Sequence, residues 1–218
     1  MSIVSAGLDA LEDEAPKNLK GCRLGLLSNQ ASLDFRLRSA DAVLSELYPG
    51  QVKALFGPQH GYGGEDQDNM IETEHSFDSR RQVPVFSLYS RVREPLPHML
   101  DLIDALVIDL QDVGTRVYTF SSTMLGCLRA AARAGKRVLL LDRPNPLGGE
   151  IVEGNLLNPD LCSFVGPYAL PMRHGLTMGE MARMFNHVFD LGCDHHIVAV
   201  KGWRRSMLWQ ETGRRWVM

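Results

Sequence analysis

The sequence predicts an α/β fold: a mostly parallel sheet with helices on both faces. Two observations carry this. Short apolar runs of strand length recur along the chain, and several of them are separated by segments of helical period. A third observation points to function. The residues that follow the apolar runs are unusually rich in Gly, Pro, Asn and charge, and in such a sheet ligands bind beyond the carboxyl ends of the strands.

Taken in order, the expected strands are "CRLGLLS" (22–28), "VKALFG" (52–57), "VPVFSL" (83–88), "ALVIDL" (105–110), "RVLLLD" (137–142) and "IVAVKG" (197–202). Their near-continuous apolar character is that of strands covered on both faces. Helical periodicity spans 36–47, 95–103, 120–134 and 177–189. The last of these opens on Thr177 with Glu180 three residues later, a capping box that sets its start.

The 218-residue chain has 44% hydrophobic and 22% charged residues and a net charge of −3. These values describe an ordinary globular protein without the basic face expected of a nucleic-acid binder. No run approaches the roughly 18 apolar residues of a membrane span, and the N-terminus lacks a signal-like segment, so no membrane partner and a cytoplasmic location are expected. Cys22, Cys127, Cys162 and Cys193 lack paired spacing and read as free thiols. Cys193 to His196 are adjacent residues that point in different directions, which argues against a metal site there.

The loop "QDVGTRVYTF" after the fourth run places Asp109, Gln111, Asp112, Arg116 and Tyr118 at a strand end. One reading is a binding site. The other is that Asp109 and Asp112 cap the next helix and pair with Arg116. "SNQAS" with Asn29, "GPQHGYGGEDQDNMIE" with Gln59, His60, Glu65 and Asn69, and "RPNPLGGE" with Arg143 and Asn145 leave their strands at the same edge, which favours a site. Neither a nucleotide fingerprint nor G-x-S-x-G occurs, so no nucleotide cofactor and no serine nucleophile are expected. Amides and carboxylates that bind hydroxyls, an Arg for a carboxylate substituent and a Tyr for a ring face together suit a small carbohydrate. Carboxylates beside a bound sugar could act as acid and base.

From about Gly21 onward, "FGPQHGYGGEDQDNMIE", "IDLQDVGTRVYTF", "LLLDRPNPLGG", "VEGNLL" and "PMRHGLTMGEMARMFN" occur in an order that resembles the NamZ-type exo-β-N-acetylmuramidases. The resemblance implies a Rossmann-like domain, here residues 1–192, with 193–218 beginning a second domain that stops short of its length in relatives. It also implies release of N-acetylmuramic acid from the non-reducing end of peptidoglycan fragments without a cofactor. Arg143, with Arg173 and His174 as rivals, would serve the lactyl carboxylate. Many members read "GPEHG" where this chain has Gln59, and an amide cannot transfer a proton at neutral pH. Glu65 is therefore expected to be the general acid, with Asp109 or Asp112 as second carboxylate and His60 beside them. Asp68 and Glu72 are the reserves. A non-catalytic sugar-binding protein and a metal-dependent hydrolase using His60, Asp109 and Asp112 stand as alternatives.

Overall fold

The computed structural model describes residues 3–14, 16–64 and 71–217. In chain order the elements are α1 (Leu11–Glu14), β1 (Leu24–Leu27), α2 (Ala40–Leu47), β2 (Val52–Gly57), β3 (Ser76–Asp78), β4 (Val83–Ser87), α3 (Pro97–Leu100), β5 (Ala105–Ile108), α4 (Phe120–Arg133), β6 (Arg137–Leu141), α5 (Met178–Val188) and β7 (His195–Val198). The strands form one sheet in the order β3-β4-β2-β1-β5-β6-β7. Every pairing is parallel except that of β3 with β4.

Alternate strand residues explain why helices cover both faces. Leu27, Phe56, Leu106, Ile108 and Leu140 pack with Met99, Leu125, Leu128 and Met181 from α3, α4 and α5. Leu24, Leu26, Leu55, Val107 and Leu139 point the other way, onto Leu11, Ala40, Val43 and Leu44 from α1 and α2. The period of two along each strand thus splits the core into two layers. Among the described residues no helix is long and apolar enough to cross a membrane.

Two differences from the sequence reading have physical causes. The last strand lies at 195–198 rather than 197–202, because β6 pairs Val138 with His195 and Leu141 with Val198. The antiparallel β3 carries no hydrophobic signal; its Phe77 is 58% exposed, and the strand is held by pairing with β4. The boundary expected at 193 falls just before β7, which joins the same sheet as its seventh strand. Beyond it, Val4 N donates to Thr212 O at 2.9 Å and Lys201 N to Ser5 O at 2.8 Å, so the C-terminal segment packs against the N-terminal one.

Candidate active site

Strands β1 and β5 lie side by side at the centre of the sheet. The chain leaves β1 towards β2 and β4 on one side, and β5 towards β6 and β7 on the other. Open parallel sheets bind ligands beyond the carboxyl ends of strands that diverge in this way, and a cavity lined by Ala31, Leu33, Gln111, Arg143 and Trp209 forms a crevice at this edge. Hydrogen bonds gather the loops there. Ser32 Oγ donates to Asp109 O at 2.5 Å, joining the loops after β1 and β5. Thr119 Oγ1 donates to Gln59 Oε1 at 2.7 Å, joining those after β5 and β2. Gln111 Nε2 donates to Pro144 O at 3.1 Å, adding the loop after β6.

Asp112 is the carboxylate with the most open chemistry. Its Oδ2 accepts from Gly114 N at 2.7 Å and lies 3.1 Å from His174 Nε2. Leu176 N donates to His174 Nδ1 at 3.1 Å, so Nδ1 carries no hydrogen and the neutral ring presents Nε2–H to Asp112. Both side chains are almost fully buried. Among the described residues the other oxygen, Oδ1, is buried with no partner, and so is Gln111 Oε1. A buried acceptor without a donor is costly unless a ligand or water supplies one. Gly114 has φ 83° and lies so near Asn145 that a Cβ would fall 2.6 Å from its Oδ1, so glycine is required for this approach. Nearby, Tyr118 packs on Phe120 with ring centroids 4.5 Å apart. Burial, with the Asp112 charge as the smaller influence, pushes its phenol up to about 12 and keeps it a neutral hydrogen-bonding group.

The remaining sequence candidates divide by their partners. Asp109 is fully buried, and Arg143 Nε and Nη2 hold its two oxygens at 2.5 and 2.7 Å. The sequence expected Asp109 or Asp112 as the second carboxylate and Arg143 as a partner for the lactyl carboxylate; in the structure Asp109 and Arg143 are each other's partners. The alternative expectation of an ion pair is met by a different arginine, because Arg116 Nη1 instead donates to the carbonyls of Asn155 and Leu170. Asn145 bridges Leu176 O and Leu147 N, and Asn29 N donates to Ser32 Oγ at 3.0 Å, so both asparagines organise loops. Arg173 pairs with Glu153 at 2.8 Å and donates to Leu147 O. His60, half-buried beside Gln59, has φ 75°, a left-handed backbone uncommon outside glycine. Glu65, Asp68 and Asn69 lie outside the described residues, and Glu72 pairs with Arg93 at 3.1 Å.

Sequence reasoning missed Ser32 and Thr119, whose hydroxyls tie the loops together. Small polar residues in loops carry no distinguishing pattern, so only the fold reveals these links. Among the described residues no three His, Cys, Asp or Glu side chains converge as metal ligands. His195 Nδ1 lies 3.1 Å from Cys193 O and 3.3 Å from Asn186 Nδ2.

Comparison with known proteins places these features in context. Residues 24–218 match the family described as exo-beta-N-acetylmuramidase NamZ, N-terminal. The chain is 42% identical over 209 residues to the peptidoglycan beta-N-acetylmuramidase NamZ of Bacillus subtilis (strain 168), covering 96% of this chain and 50% of that protein. Two crystal structures of DUF1343 family proteins from Bacteroides fragilis NCTC 9343 share the fold. One has a TM-score of 0.89 at 39% identity and covers 98% of this chain. The other has a TM-score of 0.79 at 31% identity and covers 95%. The chain spans 54% of each of those two structures, about half the length of its relatives.

Proposed function

Since the chain belongs to the family of exo-beta-N-acetylmuramidase NamZ N-terminal domains, we propose that its carboxyl-edge crevice binds the muramic acid end of peptidoglycan fragments and takes part in hydrolysing the adjoining glycosidic bond. The observation that carries this reading is the Asp112 carboxylate. One oxygen is fixed by His174 and Gly114, and the other is buried without a partner among the described residues.

Hydrolysis breaks the bond between the anomeric carbon and the leaving oxygen. A proton must reach that oxygen, and water must deliver its own oxygen to the anomeric carbon while losing a proton. In this reading Asp112 is the carboxylate that faces the anomeric carbon, either directly or through water, and Tyr118 offers a neutral hydroxyl beside it. Glu65 is assigned as the general acid on sequence grounds, since Gln59 cannot supply a proton and its Oε1 is already bonded to Thr119.

The test uses the full chain as its gene encodes it, with a chromogenic β-N-acetylmuraminide as substrate. Asp112→Asn keeps an acceptor towards Gly114 and His174 but removes the charge, and should lower kcat roughly 10²- to 10⁴-fold, as should Glu65→Gln. An inactive wild-type protein, or an Asp112→Asn variant with near-normal turnover, would overturn the assignment.

A further inference from the structure

The crevice at the carboxyl edge encloses about 170 Å³. Pockets that take whole small molecules begin at roughly 300 Å³, so this one suits a single substituent of a larger ligand. Four charged side chains line it: Asp34, Arg143, Arg214 and Arg215. Which charge a ligand meets there depends on the partners these four already have.

Three of them are compensated. Asp109 holds Arg143, and Asp9 pairs with Arg214. Asp34 Oδ2 accepts from Arg38 Nε at 2.7 Å, and Asp34 Oδ1 accepts from the backbone N–H groups of Arg36 and Arg38. Arg215 differs. It is exposed, and its guanidinium has no hydrogen bond or ion pair among the described residues. The crevice therefore presents one unneutralised positive charge, and a charge left open to a cavity attracts the opposite one.

Aromatic rings share the lining. Trp209 and Trp216 pack edge to face with centroids 5.0 Å apart, and Phe35 is 52% exposed. Arg36, outside the lining, lies 5.2 Å over the Phe35 ring and adds to the positive field. A free guanidinium beside large apolar rings matches a carboxylate carried on a short carbon stem. A neutral substituent gains nothing from that charge.

We propose that Arg215 makes this crevice select an acidic ligand: its guanidinium pairs with the carboxylate substituent of the bound sugar, and Trp209 and Trp216 lie against the carbon stem that bears it. The inference rests on the reading of the crevice as a muramic acid site and names the residue that reads the acid. The carboxylate contact expected of Arg143, Arg173 or His174 passes to Arg215, because those three are occupied by Asp109, Glu153 and Asp112. The planar fork of an arginine fits the two oxygens of a carboxylate with parallel hydrogen bonds, which the ammonium of a lysine does not.

The test uses the full chain and two aryl β-N-acetylmuraminides, one with a free lactyl carboxylate and one with that group as its methyl ester, so that the pair differ chiefly in charge. The wild type should favour the free acid in kcat/KM by roughly 5- to 20-fold, between the values of an exposed ion pair and of a hydrogen bond to a charged group. Arg215→Gln should erase this preference by raising KM for the acid, with kcat and the ester within about 2-fold. Arg215→Lys should keep part of the preference, and Arg36→Gln most of it. No preference in the wild type, a preference that survives Arg215→Gln, or an equal loss from Arg36→Gln would overturn the proposal.

If neither glycoside is hydrolysed, the glycosidase reading fails and binding alone decides the role of Arg215. Free N-acetylmuramic acid should quench the tryptophan fluorescence at lower concentration than its methyl ester or N-acetylglucosamine, and Arg215→Gln should remove the difference. Equal responses to acid and ester, or none, would overturn the assignment.

Discussion

The buried Asp109–Arg143 pair shows how strongly one side chain's role depends on its partner. Two charges with 0% and 2% side-chain exposure are tolerable together because two hydrogen bonds link them, and Arg143 Nη2 also reaches Leu33 O. Removing only one partner leaves the other charged and dry. Asp109→Ala should therefore destabilise the fold by about 3–5 kcal/mol, read as a lower urea midpoint with little change in slope. The double variant Asp109→Leu with Arg143→Met should recover much of the loss. The cysteines separate on the same principle. Burial pushes the Cys193 thiol up to about 11 and that of Cys127 higher still, whereas Cys162 is exposed. At pH 8 an alkylating reagent should modify Cys162 in the folded protein and reach Cys127 and Cys193 only in denaturant.

Among the elements, α5 is the most completely specified at its start. Thr177 Oγ1 accepts from Glu180 N at 3.2 Å while Glu180 Oε2 accepts from Thr177 N at 3.0 Å. The capping box read from the sequence is therefore present, and Thr177→Ala should cost about 1 kcal/mol in chemical denaturation. Its second anchor was not legible. Asp142, 35 residues earlier at the end of β6, accepts from Thr177 Oγ1 at 2.9 Å and from Gly179 N at 2.7 Å. Burial raises the Asp142 carboxyl above its ordinary value, and the bonds from Gly179, Thr177 and Arg143 oppose this only in part. A raised folded pKa means that the folded state holds the proton more tightly than the unfolded one. The contribution is full below the unfolded value of about 3.9 and declines as pH rises through the folded pKa. Asp142→Asn should remove this decline, so the stability difference between variant and parent should shift in the variant's favour as pH is raised from about 3 to 7, measured by urea denaturation across that range.

Over the whole molecule, the chain ends and the β1 loop are tied through one acid. Asp9 Oδ2 accepts from Ala6 N at 2.6 Å and from Arg214, Asp9 Oδ1 accepts from Phe35 N at 2.7 Å, and Arg214 continues to Val4 O and Leu33 O. Asp9→Ala should strand the almost fully buried Arg214 side chain and loosen three segments together. Hydrogen exchange at Val4, Ser5 and Phe35 should accelerate while the β5 and β6 amides keep their protection.

The parallel order of the six apolar runs, the start of α5 and the convergence of the polar loops could be read from the amino-acid sequence, because each depends on local periodicity or on position after a strand. The short, exposed β3 could not, since cross-strand backbone bonds hold it rather than a side-chain pattern. Nor could the partners within the site. Asp109 and Arg143 meet because β5 and β6 are adjacent and in register from Ala105 with Arg137 to Ile108 with Leu140, which brings the residues just past both strand ends together. Sequence alone thus identified Asp109, Asp112, Arg116 and Arg143 as the chemically unusual residues at one edge. Tertiary packing chose which were neutralised and left Asp112 with an open oxygen, because pairing between side chains dozens of residues apart depends on strand register, which local sequence does not encode.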